Sequence, residues 1–374
     1  MRVIRLTLLL VVSTFAAAQS PTPASTPWQM QDSGTSAGLR GIDSVDGTIA
    51  WASGNGGTVL KTIDGGAHWQ RCAIPDAATD GASLDFRGVQ AFDANTAIVM
   101  ASGPGEKSRL YKTNDGCHSW ELIFTNPDED GFFDAILRVA EEKIYVLGDP
   151  VKHIFALFQS EDRGKTWYAA GELGRDAQAD ESSFAASNSE LAAYGPYLLF
   201  GSGGSAARVF ATSTKCSPPP GKPNGPATYN CVVAFRSADV PVVAGSASSG
   251  VFSLAAREIL AKNGILTATV VAVGGAYDHS DNATRTAAFS TDGGHSWLAS
   301  TTPPHGFRSA VQWSQALKLW ITVGTNGSDI SRDDGKTWQP LDNGNWNALS
   351  LPFVVGPNGR IARLNPSALP PSKP

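Results

Sequence analysis

The sequence predicts an all-β protein, a seven-bladed β-propeller, and three observations carry this prediction. Glycine and proline are abundant, with 39 and 23 copies in 374 residues, and only 17% of the residues are charged. This composition is typical of a turn-rich β protein rather than of a coiled coil or a disordered chain. One eight-residue pattern recurs along the chain, and short strand-like segments recur around it with the spacing of propeller blades.

The recurrent pattern is [S/T]-x-D-x-G-x-[S/T]-W, and it is imperfect only where His68 precedes its tryptophan and where Cys117 replaces a glycine. An aspartate can accept backbone N–H bonds within a hairpin turn, and glycine supplies positive φ. The final tryptophan can be buried between neighbouring sheets. We interpret the five copies as structural turns rather than ligand sites, because five equivalent sites around one chain serve no single reaction. Their aspartates are Asp64, Asp115, Asp162, Asp292 and Asp333.

A second recurrent segment lies upstream of the turns and predicts the innermost strand of each blade. The four closest copies begin at Leu39, Phe86, Phe133 and Phe307, and three weaker copies begin at Phe184, Ser249 and Trp346. The last blade lacks a fourth strand, and Trp28 begins a segment that resembles the outer strands. We expect this segment to close the ring, which leaves no free sheet edge. The count is seven blades, with six and eight as the alternatives.

The first residues predict a signal peptide. Arg2 and Arg5 precede the apolar residues 6–12, and residues 16–18 are three alanines suited to cleavage after Ala18. The apolar run is too short to span a membrane. We therefore expect export to the periplasm or the extracellular space. The predicted organisation is a signal peptide (1–18), a linker (19–27), a single propeller domain (28–366) and a C-terminal tail (367–374).

Export makes disulfides stable, and the chain has four cysteines. Cys216 and Cys231 flank a proline-rich insertion (216–231), and a bridge across a loop of about 15 residues stabilises by roughly 3 kcal/mol. Cys72 and Cys117 would then pair with each other. No two cysteines have C-x-x-C spacing, so no zinc site is expected.

The chain resembles the BNR/Asp-box propellers. Its glycine-closed second strand, short third strand and T-x-D-G-G-x-x-W turn are more similar to the photosystem II stability/assembly factor family than to the sialidases. The resemblance covers roughly residues 28–364 and is weak at 205–245. It implies a lumenal or periplasmic assembly chaperone that binds partner proteins through arginines on the inner strands.

The family's arginine positions fall on the innermost strands of this chain. Arg40, Arg87 and Arg308 match those positions, whereas Asp134 and Asn347 occupy them on other blades. Together these five residues form one polar arc at the predicted channel. Arginines in an otherwise acidic chain attract a carboxylate or an acidic peptide. The alternative is that they pair with Asp134 and other inner-strand acids and bind no ligand.

Three functions follow as hypotheses. The first is an exported, non-catalytic propeller, expected to be a monomer without cofactor or metal, that binds a protein or peptide partner. The second is a sialidase-like glycoside hydrolase, with Tyr277 as nucleophile and Asp278, Asp281 or Asp149 as its carboxyl partners. The third is a purely structural envelope module. A net charge of −5 disfavours nucleic-acid binding.

Overall fold

The computed structural model describes residues 26–171, 173–217, 230–260, 264 and 266–371, with backbone alone at 214–217 and 230–233. It contains seven antiparallel sheets, so the predicted seven-bladed propeller is confirmed. The predicted signal peptide lies outside the described residues. None of the helical segments among the described residues has the length and hydrophobicity to cross a membrane.

The first three blades follow the chain after one separate strand. That strand is β1 (Trp28–Gln31). Blade 1 contains β2 (Leu39–Ser44), β3 (Ala50–Gly54), β4 (Thr58–Thr62) and β5 (Gln70–Arg71). Blade 2 contains β6 (Phe86–Ala91), β7 (Ala97–Ala101), β8 (Arg109–Thr113) and β9 (Glu121–Thr125). Blade 3 contains β10 (Phe133–Arg138), β11 (Ile144–Val151), β12 (Ile154–Ser160) and β13 (Tyr168–Ala169).

The strands of blades 4 and 5 are interleaved along the chain, because two short strands of blade 5 precede the end of blade 4. The strands are β14 (Glu181–Ser182), β15 (Leu191–Tyr194), β16 (Tyr197–Gly201), β17 (Gly203–Gly204), β18 (Arg208–Ser217), β19 (Asn230–Asp239), β20 (Ser246–Leu260), β21 (Leu266–Ala276), β22 (Ala287–Ser290) and β23 (Leu298–Ala299). Blade 4 is β15-β16-β18-β19, whereas blade 5 is the six-stranded sheet β14-β17-β20-β21-β22-β23. The first strand of blade 4 therefore begins at Leu191. The prediction that it begins at Phe184 is wrong, because that residue lies in an irregular segment and its ring stacks on Phe252.

The last two blades close the ring. Blade 6 contains β24 (Ala310–Ser314), β25 (Leu319–Gly324), β26 (Gly327–Ser331) and β27 (Gln339–Asp342), and blade 7 contains β28 (Ala348–Ser350), β29 (Phe353–Val355) and β30 (Ile361–Leu364). Strand β1 supplies the fourth strand of blade 7 by pairing antiparallel with β30, with Trp28 opposite Leu364. The predicted closure by the N-terminal segment is correct. The remaining elements are single 3-10 turns at Gly81–Ser83, Gly105–Lys107, Tyr277–His279 and Pro366–Ala368.

The hydrophobic core is divided among the interfaces between blades. Seven clusters of buried residues occur among the described residues, and each joins two neighbouring blades. Leu39 of blade 1 and Phe353 of blade 7, for example, belong to the same cluster. The first and last blades are thus packed together like any other pair, and the ring is continuous.

The five recurrent eight-residue turns, called the Asp-box turns from here on, are stabilised by local hydrogen bonds. In the third copy, Asp162 accepts the backbone N–H groups of Lys165 and Thr166 at 2.9 Å each and the Thr166 hydroxyl at 2.6 Å. The N–H of Gly164, at φ +83°, donates to Ser160 Oγ at 2.8 Å. The aspartates of the other copies accept backbone N–H bonds in the same way: Asp64, Asp115, Asp292 and Asp333.

The box tryptophans pack on the preceding blade. Ring centroids lie 5.7 Å apart for Trp69 and Phe353, 6.4 Å for Trp120 and Trp51, and 5.4 Å for Trp167 and Phe124. Each turn therefore fixes its own hairpin and also places an aromatic side chain in the adjacent interface.

The disulfide between Cys72 and Cys117 joins blade 1 to the second Asp-box turn, with the two Cα atoms 5.3 Å apart. Cys117 has φ +72°, at the position where the other copies have a left-handed glycine. The backbone register places Cys216 opposite Cys231. Their bridge concerns side chains outside the described ones and stays a prediction.

Side chains of the innermost strands also tie neighbouring blades together. In each case a side-chain oxygen on one blade accepts a backbone N–H from the inner strand of the next blade or from the residue that follows that strand. The links are Ser350 to Ser44 (2.9 Å), Asp43 to Ala91 (2.8 Å), Gln90 to Arg138 (2.7 Å), Ser253 to Val311 (2.9 Å) and Gln312 to Leu351 (2.7 Å). These five hydrogen bonds hold the innermost strands of neighbouring blades in position around the axis.

Candidate functional site

A cavity of about 560 Å³ lies where the innermost segments of all seven blades meet. The residues that line it include one or more from each blade or from the segment leading into it, so the cavity is central. The lining residues from blade 1 to blade 7 include Arg40, Arg87, Asp134, Ala185, Phe252, Ser309 and Asn347. Four of the five residues that the sequence predicts for a polar arc therefore share one cavity.

Arg308, the fifth predicted residue, does not line the cavity. Its side chain is fully buried, and its Nε donates to Oδ2 of Asp329 at 2.7 Å. A second nitrogen donates to Asn326 Oδ1 at 2.6 Å. The expectation that Arg308 faces a partner is corrected by this pairing, because a buried guanidinium needs a carboxylate within the fold.

Arg87 is partly satisfied within the protein. Its side chain is 27% exposed, and its Nε donates to Asp85 Oδ2 at 2.8 Å. Its Nη1 donates to the carbonyl of Ala185 at 3.3 Å, which connects blade 2 to the segment before blade 4. These bonds orient the guanidinium beside the cavity.

Among the described residues, Arg40 lacks the direct ion pair that Arg87 and Arg308 have. It is partly buried and lines the cavity, and no ion pair to it occurs within the described part of the chain. Burial and the neighbouring positive charge of Arg87 lower the pKa of Arg40, and the charge of Asp85 only partly opposes this. A bound anion would offset both the cost of burying the Arg40 guanidinium and its repulsion by Arg87.

Three acids lie beside the arginines. Asp134 is 1% exposed, and burial together with the charge of Asp149 raises the pKa of Asp134 well above its ordinary value. Burial and the charge of Asp134 likewise raise the pKa of Glu190, which is fully buried and accepts the N–H of Phe184 at 2.5 Å. Burial raises the pKa of Asp149, which accepts the N–H of Ser183 at 3.0 Å. Sequence reasoning missed Glu190, which belongs to no repeated motif.

Aromatic rings form the other side of the cavity. Phe184 stacks on Phe252 with ring centroids 3.8 Å apart, and Phe307 meets Phe252 edge-on at 4.8 Å. Tyr277, 53% exposed, lies edge-on to Phe252 at 6.1 Å. The cavity thus has a charged half on blades 1 to 3 and an apolar half on blades 5 and 6.

The residues of the hydrolase hypothesis are only partly brought together. Tyr277 and Asp149 both line the cavity. The carboxylate of Asp278 accepts the Ser248 hydroxyl at 2.7 Å and lies 3.0 Å from His279 Nδ1. Within the described residues, no group of three or more His, Cys, Asp or Glu side chains has an arrangement that could hold a metal ion.

Fold and site define an Asp-box propeller whose central cavity presents arginines beside buried acids. The chain belongs to the family described as photosynthesis system II assembly factor YCF48, whose model matches residues 20–214, just over half of the chain.

Two curated relatives come from Synechococcus. The chain is 29% identical over 210 residues to the photosystem II assembly protein Ycf48 of strain JA-2-3B'a(2-13), covering 54% of this chain and 56% of that protein. It is 25% identical over 165 residues to the photosystem II assembly lipoprotein Ycf48 of strain CC9902, covering 42% and 44%. The chain thus spans about half the length of the curated relatives it matches.

Two solved structures share the fold. One is YCF48 bound to D1 peptide, with a TM-score of 0.53, 16% identity and coverage of 92% of this chain and 99% of that chain. The other is YCF48 from Cyanidioschyzon merolae, with a TM-score of 0.50, 18% identity and coverage of 91% and 100%.

Proposed function

We propose that this chain is an exported, non-catalytic propeller that binds a protein or peptide partner by an acidic segment at its central cavity. Arg40 makes the primary contact to a carboxylate of the partner. Arg87 supports it electrostatically, and Asn347 holds the strand that carries Arg40 by donating to the carbonyl of Leu39 at 2.8 Å.

The observation that carries this proposal is that Arg40 has no ion-pair partner in the part of the chain that the structure describes. A partly buried guanidinium next to a second guanidinium is unfavourable without an anion, and a planar guanidinium binds a carboxylate through two parallel hydrogen bonds. By contrast, Arg308 is neutralised by Asp329 within the fold. Under this proposal, two arginines at similar positions in the repeat serve different purposes: Arg40 binds the partner, and Arg308 stabilises the fold.

A structural relative supports the proposal that the partner is a protein or peptide. A solved YCF48 structure with this fold carries a D1 peptide, so a propeller of this shape accommodates a peptide ligand.

One curated relative is named a lipoprotein, which agrees with an exported chain. Export is tested by isolating the periplasmic protein and sequencing its N-terminus, which should be Gln19; an N-terminus that retains residues 1–18 would contradict cleavage.

The binding proposal is tested by isothermal titration with an N-acetylated, C-amidated hexapeptide of alternating glutamate and alanine. We expect Arg40→Gln to weaken binding by about tenfold or more, equivalent to about 1.4 kcal/mol. The matched control is Arg71→Gln, an exposed arginine on the outer strand β5, which should leave the affinity unchanged. Equal affinity for the wild type and Arg40→Gln, or no binding to the wild type, would overturn the proposal.

A second candidate, glycoside hydrolysis, rests on the presence of Tyr277 and Asp149 in the same cavity. Burial raises the pKa of Asp149, as a general acid requires. Release of dye from a panel of aryl glycosides, lost in Tyr277→Phe, would establish this activity. Unchanged release in that variant, or no release by the wild type, would exclude the assigned mechanism.

A further inference from the structure

We infer that the cavity contains a second subsite, formed by Asp149 and Asp134 on blade 3, that takes the ammonium or guanidinium group of a basic side chain. The inference rests on the proposed function and specifies its ligand. The preferred segment carries an acidic residue for Arg40 and a basic residue for the two aspartates.

The first argument is position. Asp134 and Asp149 both line the cavity that also contains Arg40 and Arg87. The acids lie on blade 3, whereas the arginines lie on blades 1 and 2. One peptide crossing the cavity therefore meets opposite charges at successive blades.

The second argument is an unsatisfied carboxyl group. Asp134 is 1% exposed, and its Oδ2 atom is buried without a hydrogen-bond partner among the described residues. Oε1 of the neighbouring Glu190 is also buried and has no hydrogen-bond partner among the described residues. Buried polar atoms without partners are rare and costly, so such a group at a cavity wall indicates a missing donor.

The third argument is charge balance. The charge of Asp149 raises the pKa of Asp134, the charges of Asp134 and Asp149 raise the pKa of Glu190, and Arg87 is the cation that offsets Asp134. Two nitrogens of that arginine already donate to Asp85 and to the Ala185 carbonyl. A basic side chain of the ligand would supply both the donors and the positive charge that these acids lack.

The donor is a side chain rather than a metal ion, for two reasons. The described residues contain no cluster with metal-ligand geometry. Arg87 would also repel a divalent ion about twice as strongly as it repels a singly charged side chain at the same distance. An ammonium or guanidinium on a peptide already anchored at Arg40 is held at a high effective concentration.

The test uses isothermal titration of the full chain with three N-acetylated, C-amidated hexapeptides. The first contains glutamate and alanine, the second lysine and alanine, and the third glutamate, lysine and alanine. We expect the mixed peptide to bind about tenfold tighter than the acidic one. In Asp149→Asn and in Asp134→Asn the ratio of these two affinities should fall to about one. Glu121→Gln, an exposed acid on the outer strand β9, should keep the wild-type ratio.

Proton exchange supplies an independent readout. Burial raises the pKa values of all three acids in the free protein. A bound cation lowers those pKa values, so the mixed peptide should release protons, measured as a binding enthalpy that varies with the ionisation enthalpy of the buffer. The acidic peptide should release fewer protons than the mixed one.

The outcomes separate the two proposals. If the acidic peptide binds in an Arg40-dependent way and the mixed peptide binds no tighter, the second subsite is wrong and the proposed function stands. If no acidic peptide binds, the proposed function fails. If Asp134→Asn does not fold, Asp149→Asn decides the matter, because Asp149 is only partly buried.

Discussion

Arg308 donates from Nε to Oδ2 of Asp329 at 2.7 Å, and both side chains are fully buried. His305 Nδ1 lies 2.9 Å from the other oxygen of the same carboxylate, and Asn326 accepts from a further guanidinium nitrogen. This network ties the segment before blade 6 to the third strand of that blade. Arg308, which the sequence predicts to contact a partner, therefore stabilises the fold instead.

Removing Arg308 should therefore destabilise the protein. In Arg308→Ala the carboxylate of Asp329 stays buried without its cation, and we expect the free energy of unfolding to fall by about 3–5 kcal/mol. Urea unfolding followed by tryptophan fluorescence measures this change. Arg71→Ala, at an exposed position, should cost less than about 0.5 kcal/mol. A loss of less than about 1 kcal/mol in Arg308→Ala would show that the ion pair is not required.

Replacing both members of the pair should restore part of that loss. The double variant Arg308→Met, Asp329→Leu leaves no buried charge, and hydrophobic side chains of similar volume often substitute for a buried ion pair. We expect it to be more stable than Arg308→Ala in the same urea titration. A double variant as unstable as the single one would point instead to the hydrogen bonds with His305 and Asn326.

Asp43 should make stability fall as pH rises. Burial raises its pKa to about 6, although Asp43 accepts the N–H of Ala91 at 2.8 Å. A raised pKa in the folded state contributes stability below the unfolded value, which is lost as pH rises through the folded value. Asp43→Asn keeps an oxygen for Ala91 and removes the titration. Between about pH 4 and pH 8 the wild type should lose about 2 kcal/mol more than the variant. Equal losses in the two proteins would contradict the assignment.

The Asp-box carboxylates should have the opposite pH dependence. Hydrogen bonds from the side chain and N–H of Thr166 hold the pKa of Asp162 at about 2. This stabilisation is present above the unfolded pKa and is lost as pH falls toward the folded value. Asp162→Asn should lower the melting temperature at neutral pH, and the gap to the wild type should narrow in acid. Calorimetry from neutral pH to about pH 2 measures both, and a constant gap would show that ionisation of Asp162 contributes nothing.

The left-handed backbone at Cys117 predicts a difference between two disulfide-free variants. With Cys72→Ala as common background, Cys117→Gly should be more stable than Cys117→Ala by about 1 kcal/mol, because only glycine adopts φ near +72° without steric cost. Thermal unfolding of the two proteins under the same conditions gives this difference. Identical stabilities would mean that the turn relaxes once the disulfide is removed.

The parts of the fold that depend on local chemistry could be predicted from the sequence. Each Asp-box turn is stabilised within eight residues, so the pattern around Asp162 specifies both its hydrogen bonds and its neighbouring strands. Closure by Trp28 was also predictable, since the last blade visibly lacked one strand.

Features that depend on distant residues could not be predicted in the same way. Arg40 and Arg308 occupy similar positions in the repeat, and what separates them is Asp329, on another strand of blade 6. Blade 4 begins later than predicted because Phe184 stacks on Phe252 instead of lying in a strand. The local sequence does not indicate that contact. Glu190 likewise acquires its significance only from the neighbouring Asp134.

A crystal structure of the chain with the glutamate–alanine hexapeptide bound tests the central claim most directly. The account predicts a peptide carboxylate in the central cavity, with an oxygen within hydrogen-bond distance of the Arg40 guanidinium. A peptide bound at the outer strands, or one in the cavity with its carboxylates directed away from Arg40, would contradict it.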